Sequence, residues 1–308
     1  MAAIPRSASV EPRTNEGAEL LDESFLRRLR ALSLVSRRTP FGAAGGLRRA
    51  HGRGPGSEFA DYREYSSGDD YRHVDWKAYA RSERLLVRQH VPEVELAVYL
   101  LLDCSASMAS GEPAKLDHAR TLTAALAYLG LARFDRVTIY PIRDRLAGSF
   151  APQRGPQALR GVSSFLRTLE ASGPTDLARS ARELCARSRR AGLVILLSDL
   201  YDPSGVVSAL DMLRQARFET SLIRIVDASE LAPRWLGELE LVDAESGRTR
   251  SLSVTPELIE AYGLARRRET EALARACGER AVPLHLVDTR VRPEDALLGL
   301  LRRGGLVR

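Results

Sequence analysis

Residues 94–107 read VELAVYLLLDCSAS, and this stretch decides the fold class of the chain. The run 96–102 is almost entirely apolar, which is typical of a parallel strand covered by helices on both faces. The run ends at Asp103, and Ser105 and Ser107 follow in a D-x-S-x-S pattern. The stretch therefore predicts a buried strand whose carboxyl end presents a carboxylate and two hydroxyl groups.

Downstream of this strand, strand patterns and helix patterns alternate. Strands are predicted at 136–142, 193–198, 219–226 and 282–287, and helices at 115–134, 156–169, 176–190, 204–216, 256–277 and 293–302. This alternation predicts an α/β domain with a mostly parallel sheet flanked by helices. Residues 146–150 are expected to pair back with the preceding strand. The turn 245–247, between 239–242 and 249–254, predicts a small β-hairpin insertion.

The chain ahead of this domain divides into a tail and an extension. Residues 1–19 mix Pro, Ser, Glu and Gly without periodicity and predict a mobile tail. Residues 20–92 form an N-terminal extension, and the sheet domain is expected at 93–308. Within the extension, apolar residues at helical spacing predict a short amphipathic helix over 20–35, and residues 85–91 alternate like a strand.

Composition excludes several classes of protein. The chain has 308 residues, of which 44% are hydrophobic and 28% charged, proportions that exclude disorder over most of its length. Its apolar runs are far shorter than the roughly 20 residues that cross a bilayer, and its start lacks the pattern of a signal peptide. Three widely spaced cysteines predict neither a disulfide framework nor a CxxC metal site. We therefore expect a cytoplasmic protein without a membrane segment.

Most of the basic residues of the chain are arginines. The net charge is +6, and Lys77 and Lys115 are its two lysines among 46 basic residues. Eight arginines and no acid lie between Ser24 and Ser57, and six acids follow in 58–75. We interpret this arginine-rich arm as a segment that docks on those acids, with a phosphate or acidic-partner surface as the alternative. Nucleic acid is not the expected partner.

Side chains with carboxylate or hydroxyl oxygens lie at or near the carboxyl ends of the predicted strands, which is the edge at which a parallel sheet binds its ligands. In open α/β sheets, that place is the crevice outside the carboxyl ends of the strands. The candidate site residues are Asp103, Ser105, Ser107, Thr175 and Asp199. Such hard oxygen ligands suit Mg²⁺ or Mn²⁺. The alternative is that Asp103 caps the following turn and the serines form only local hydrogen bonds.

This pattern resembles the metal-ion-dependent adhesion site of von Willebrand factor A domains. The resemblance implies a von Willebrand factor A-like, Rossmann-like sheet. It also implies that Asp103 and the two serines bind a metal ion directly. Thr175 would fill a fourth position, either directly or through a water molecule, and Asp199 would hold a coordinated water.

A second block of sequence extends the resemblance toward the N-terminus. The segments concerned are GSEFADYREY (56–65), GDDYRHVDW (68–76), Ala80-Arg81 and LVR (86–88). They resemble the signature of the bacterial "domain of unknown function 58" family, whose members carry a von Willebrand factor A-like domain after this block. The arginines, carboxylates and aromatic rings of the block can pair and stack. It either docks the extension on the sheet domain or forms a loop that binds a partner.

The resemblance also implies a function. Members of the family are commonly encoded beside MoxR-type AAA ATPases, which implies a chaperone-like or assembly role. We therefore expect a non-enzymatic, Mg²⁺-dependent protein-binding module. Its expected partner is a MoxR-type AAA ATPase or a client protein, which would supply an acidic ligand to the metal.

The alternative is a Mg²⁺-dependent phosphohydrolase that uses Asp103 as its nucleophile. Phosphatases that resemble haloacid dehalogenases place a second Asp two residues later as the acid/base group, where this chain has Ser105. The sequence also lacks a Walker A loop, a G-x-S-x-G elbow and an HExxH motif. These observations favour the binding module.

Overall fold

The computed structural model describes residues 20–36, 59–66, 71, 74–90, 96–188, 190–231, 233, 236–302 and 304–308. The predicted mobile tail 1–19 lies outside the described residues. So do most of the arginine-rich arm and parts of the signature block.

Ten strands and nine helices are defined within these residues. The strands are β1 (Phe59–Glu64), β2 (Leu86–His90), β3 (Ala97–Asp103), β4 (Arg136–Ile142), β5 (Phe150–Gln153), β6 (Leu193–Ser198), β7 (Glu219–Val226), β8 (Gly237–Val242), β9 (Thr249–Val254) and β10 (Leu284–Asp288). The helices are α1 (Glu23–Leu29), α2 (Trp76–Ser82), α3 (Lys115–Leu131), α4 (Leu159–Arg167), α5 (Leu177–Arg187), α6 (Pro203–Gln215), α7 (Ala228–Leu231), α8 (Pro256–Glu279) and α9 (Pro293–Asp295). A π-helical stretch, Ala296–Leu301, continues α9.

Six strands form one sheet in the order β10-β7-β6-β3-β4-β5. Only the edge strand β5 is antiparallel to its neighbour among these described strands. When these six strands are numbered 1 to 6 along the chain, beginning with β3, their order across the sheet from the β5 edge is 3-2-1-4-5-6. This is the strand order of a doubly wound sheet. The predicted fold class, a mostly parallel, von Willebrand factor A-like α/β sheet flanked by helices, is confirmed. The strand order reverses between β3 and β6, which is where such sheets bind their ligands.

The alternation of side chains along β3 separates two hydrophobic cores. Val98, Leu100 and Leu102 enter the core that contains α3 and α4. Ala97, Tyr99 and Leu101 enter the core that contains α5 and α6. Because both faces of the strand are buried, its sequence is continuously apolar rather than alternating. The same two-sided burial explains β6, all of whose residues are buried.

The first described segment, 20–36, packs into the core of the sheet domain. Phe25 and Leu29 of α1 are buried in the same core as α3. Leu34 forms an antiparallel bridge with Val307 near the other end of the chain. The burial of α1 joins the start of the predicted extension to the hydrophobic core of the sheet domain.

Several predicted elements differ in extent from those observed. The helix expected over 20–35 is limited to α1. The Asp22 carboxylate accepts a hydrogen bond from the Phe25 N–H at 2.6 Å and caps the start of this helix. The strand expected at 146–150 begins at Phe150 as β5, and Leu146 contributes only an isolated bridge to Ile142. The strand at 85–91 is confirmed as β2. It pairs with β1, a strand inside the signature block that the pattern did not predict.

The predicted hairpin insertion is confirmed by β8 and β9, which pair in antiparallel register over six residues each. Gly247 in its turn has a φ of 67°, a conformation that favours glycine. None of the helices in the described parts of the chain combines the length and the apolarity that a membrane span requires.

We predict that Phe25→Ala lowers the free energy of unfolding by about 3–5 kcal/mol, because it leaves a cavity in a core that includes α3. The Phe25 side chain is 1% exposed. The matched control is Phe134→Ala, at a phenylalanine that is 64% exposed, and its expected effect is within about 0.5 kcal/mol. Urea denaturation of both variants measures the difference. Equal effects would mean that α1 does not belong to the cooperative core.

Candidate metal centre

The carboxylate of Asp103 lies fully buried at the carboxyl end of β3. Its Oδ1 atom accepts a hydrogen bond from the Ser105 N–H at 2.9 Å, and its Oδ2 atom accepts one from the Ser198 hydroxyl at 2.5 Å. The Ser105 and Ser107 hydroxyl oxygens lie 3.1 Å apart. The D-x-S-x-S loop therefore brings one carboxylate and two hydroxyl groups to one point, as the sequence predicted.

The neighbouring strand β6 delivers Ser198 and Asp199 to the same edge of the sheet. The sequence analysis did not assign a role to Ser198, which binds the Asp103 carboxylate and accepts a hydrogen bond from the Leu200 N–H at 3.0 Å. The sequence feature that could have indicated its role is its position, since Ser198 is the last residue of a buried strand and precedes Asp199. Asp199 follows it and is buried.

Thr175 lies on the loop that leads into α5, next to the D-x-S-x-S loop. That loop is fixed to the D-x-S-x-S loop by two main-chain hydrogen bonds, from the Ala106 N–H to the Gly173 oxygen (2.8 Å) and from the Ser172 N–H to the Cys104 oxygen (2.9 Å). The Thr175 Oγ1 atom is buried and has no hydrogen-bond partner among the described residues. It therefore has both lone pairs available for a ligand.

The two carboxylate oxygens of Asp199 have different surroundings. Oδ2 accepts a hydrogen bond from the Lys115 ammonium group at 2.7 Å. Oδ1 is buried and has no hydrogen-bond partner in the described part of the chain. Since a buried carboxylate oxygen without a partner is costly, Oδ1 is a second atom available for a cation or its coordinated water.

Lys115 is a second residue of this site to which the sequence analysis assigned no role. Its side chain is completely buried at the start of α3, where Nζ lies 2.7 Å from Asp199 and 2.7 Å from Glu230. Glu230 is held in turn by the Ser110 and Tyr201 hydroxyls. The rarity of lysine in this chain was the available signal, but the partners of Lys115 are 84 and 115 residues away in sequence.

These atoms fit a small divalent cation bound by oxygen. In octahedral coordination at 2.0–2.1 Å, neighbouring ligand oxygens are about 3 Å apart, which matches the separation of the two serine hydroxyls. The oxygens of Thr175 and Asp199 that have no partner among the described residues are two further potential ligand atoms. Within the described residues, no three His, Cys, Asp or Glu side chains gather as a metal-binding group, so such an ion would rely on hydroxyl oxygens as well as carboxylates.

The electrostatics of the site also favour a cation. Burial, followed by the negative charge of Asp199, raises the pKa of Asp103 from 3.8 to about 6. Hydrogen bonds from Ser198 and Ser105 act in the opposite direction and offset only part of this effect. A divalent cation bound between the two carboxylates would remove the electrostatic penalty that raises this pKa.

Comparison with protein families identifies the chain. The model of the family described as "Protein of unknown function DUF58" matches residues 61–272, more than half of the sequence. The chain belongs to this family. The family predicted from the signature block is thereby confirmed.

Relatives of this DUF58 protein occur in mycobacteria. Uncharacterized protein Rv1480 of Mycobacterium tuberculosis and uncharacterized protein Mb1516 of Mycobacterium bovis are each 30% identical to it over 280 residues. In both cases the alignment covers 88% of this chain and 88% of the relative.

Two solved structures illustrate the structural similarities. BatB from Bacteroides thetaiotaomicron is 13% identical, with 60% of this chain and 98% of BatB covered and a TM-score of 0.36. Manganese-loaded TRAP protein of Plasmodium vivax is 21% identical, with 42% of this chain and 57% of TRAP covered and a TM-score of 0.33.

The raised pKa of Asp103 gives a prediction on the stability of the metal-free DUF58 protein. The folded-state pKa lies above the unfolded value, so the native state binds the proton more tightly than the unfolded state. Ionisation of Asp103 therefore lowers the stability of the protein as the pH rises from about 4 to about 6.

The substitution Asp103→Asn removes this charge. Its amide can donate to Ser198 while its oxygen accepts from Ser105. In EDTA at pH 7.5 the variant is expected to be more stable than the wild type by on the order of 3 kcal/mol.

Urea denaturation at pH 4 and pH 7.5 tests this prediction, since the difference between variant and wild type should vanish at pH 4. The control is Asp22→Asn, which keeps a good helix cap. Hydrogen bonds from Phe25 and Ser24 lower the pKa of Asp22, so its ionised carboxylate stabilises the protein above pH 4, and this variant should be less stable than the wild type at pH 7.5. The same pH dependence in Asp103→Asn and wild type would contradict the prediction.

The two lysines of the chain offer a matched pair of variants. Lys115→Met leaves the buried Asp199 and the half-buried Glu230 without their shared cation, and we expect a loss of about 3–5 kcal/mol in the free energy of unfolding. Lys77→Met changes an exposed side chain, and its expected effect is within about 0.5 kcal/mol. Denaturation at a fixed concentration of free Mg²⁺ measures both. Similar losses in the two variants would exclude the central role of Lys115.

Proposed function

We propose that this DUF58 protein is a non-enzymatic, Mg²⁺-dependent protein-binding module of the cytoplasm. It acts with a MoxR-type AAA ATPase in the chaperone-like assembly or maturation of a client complex, and Mn²⁺ can replace Mg²⁺. The observation that carries the proposal is that two buried carboxylates and two neighbouring hydroxyls lie at the sheet's switch point, and that Asp199 Oδ1 and the nearby Thr175 Oγ1 have no hydrogen-bond partner among the described residues. The residues that would hold the ion are Asp103, Ser105, Ser107, Thr175 and Asp199.

The charges of the site explain why a partner would supply an acid. Asp103 is the one carboxylate assigned to direct coordination, so a divalent ion there keeps a net positive charge. Lys115 already donates to one oxygen of Asp199, which leaves Asp199 to bind through its other oxygen or through a coordinated water. When bound, the ion supplies a Lewis-acidic position with exchangeable water, and a Glu or Asp side chain is a suitable hard ligand for it.

The surroundings of Asp103 support a binding role over catalysis. Both oxygens of its fully buried carboxylate accept hydrogen bonds within the protein, which is a poor arrangement for a nucleophile that must attack a phosphoryl group. The position of an acid/base Asp two residues later is occupied by Ser105, whose hydroxyl is not a proton donor of suitable pKa. A phosphohydrolase would need both functions.

Calorimetric titration with Mg²⁺ and with Mn²⁺ tests the metal site. Asp103→Ala is expected to abolish binding while the far-ultraviolet circular dichroism stays unchanged, because the surrounding core is large and apolar. Thr175→Ala is expected to weaken binding about tenfold, or about 1.4 kcal/mol. The control is Asp211→Ala, which removes a carboxylate that pairs with Arg280. Unchanged binding by Asp103→Ala would refute the site.

A pulldown with a MoxR-type AAA ATPase tests the partner separately. The complex should weaken in EDTA, in Asp103→Ala and in Thr175→Ala, and it should return when Mg²⁺ is added to the wild type. A complex that survives EDTA and both substitutions would show that the metal site plays no part in partner binding, whatever the calorimetry gives.

A further inference from the structure

The tip of the β8–β9 hairpin contacts the candidate metal centre. The Thr175 N–H donates a hydrogen bond to the Glu245 Oε2 atom at 3.2 Å, across 70 residues of sequence. The buried hydroxyl of Thr175 also has no partner among the described residues. An acidic side chain of the chain itself therefore lies beside one of the proposed metal ligands.

The construction of the turn leaves this carboxylate free to face the site. The turn is closed by Asp243, whose carboxylate accepts hydrogen bonds from the Ser246 N–H and hydroxyl, both at 2.6 Å. Two main-chain bonds, from Asp243 to Arg248 and from Gly247 to Asp243, complete it. One acid of the turn thus stabilises the turn, while the other, Glu245, reaches across to Thr175.

We propose that Glu245 is an internal acidic ligand of the metal centre. It takes the position that the proposed function gives to a partner's Glu or Asp, and a partner binds by displacing it. The inference rests on the proposed function, since it requires a metal ion at Asp103. With Glu245 bound as well as Asp103, two negative charges balance the two positive charges of the ion, so the free protein carries a neutral, closed site.

The hairpin is suited to release this ligand. Leu239 is the one half-buried side chain of β8, and the rest of that strand is exposed, so little apolar burial holds the hairpin in place. Leu241 and Val242 are 46% and 63% exposed. Because the hairpin tethers Glu245 to the protein, its carboxylate competes with a partner's carboxylate for the metal ion at an effective concentration in the millimolar range. It would therefore exclude weak acidic ligands while a partner with further contacts displaces it.

The water-proton relaxivity of protein-bound Mn²⁺ tests the proposal, because it rises with the number of exchangeable waters on the ion. Glu245→Gln should raise the relaxivity, since water replaces the lost carboxylate, and should lower Mn²⁺ affinity about tenfold. Acetate, used as a carboxylate probe, should then lower the relaxivity of the variant at concentrations that leave the wild type unchanged. The matched control is Glu240→Gln, which removes an equal charge from an exposed position on β8 and should behave as the wild type.

The outcomes separate this inference from the proposed function. If the wild type binds Mn²⁺ but Glu245→Gln has the same relaxivity, affinity and acetate response, the internal ligand is refuted and the metal-binding module stands. If the Glu240→Gln control changes these quantities as much as Glu245→Gln does, the effect is one of general charge and the inference also fails. If the wild type binds no Mn²⁺, the proposed function and the inference fail together.

Discussion

The site depends on one electrostatic constraint, which is the burial of Asp103 and Asp199 at the ends of two adjacent parallel strands. Burial and mutual repulsion disfavour two negative charges in this position. The fold places them there because the reversal of strand order between β3 and β6 opens a crevice at that edge. The surrounding polar residues compensate these two charges.

The compensation is unequal between the two carboxylates. Asp199 has a cation of the protein's own, since Lys115 contacts its Oδ2 atom. Among the described residues, the hydrogen-bond donors to Asp103 are uncharged, the Ser105 N–H and the Ser198 hydroxyl. Burial, followed by the negative charge of Asp199, raises the pKa of Asp103. The need for an external positive charge therefore falls on the side of Asp103, where the two serine hydroxyls also lie.

The features predicted from sequence are those that short patterns encode. A strand buried on both faces is a continuous apolar run, so β3 and β6 and the polar residues at their ends were recognisable. Lys115 was not, because a lysine at the start of a helix has the pattern of a surface residue and its partners are remote in sequence. The hairpin was predicted from its turn, but the contact of Glu245 with Thr175 depends on the tertiary path of the chain.

Two of the described residues between β7 and α8, Glu230 and Glu245, contact residues of the centre, and the two contacts differ in how firmly they are held. Glu230 reaches it through Lys115 and is also held by Ser110 and Tyr201, so several hydrogen bonds fix this contact inside the protein. Glu245 reaches it through a single bond from an exposed hairpin. Displacing Glu245 would leave the Lys115 pairs intact. Under the proposed function, the centre would therefore combine a fixed half, which keeps the buried carboxylates in place, with an exchangeable half that an acidic ligand would occupy.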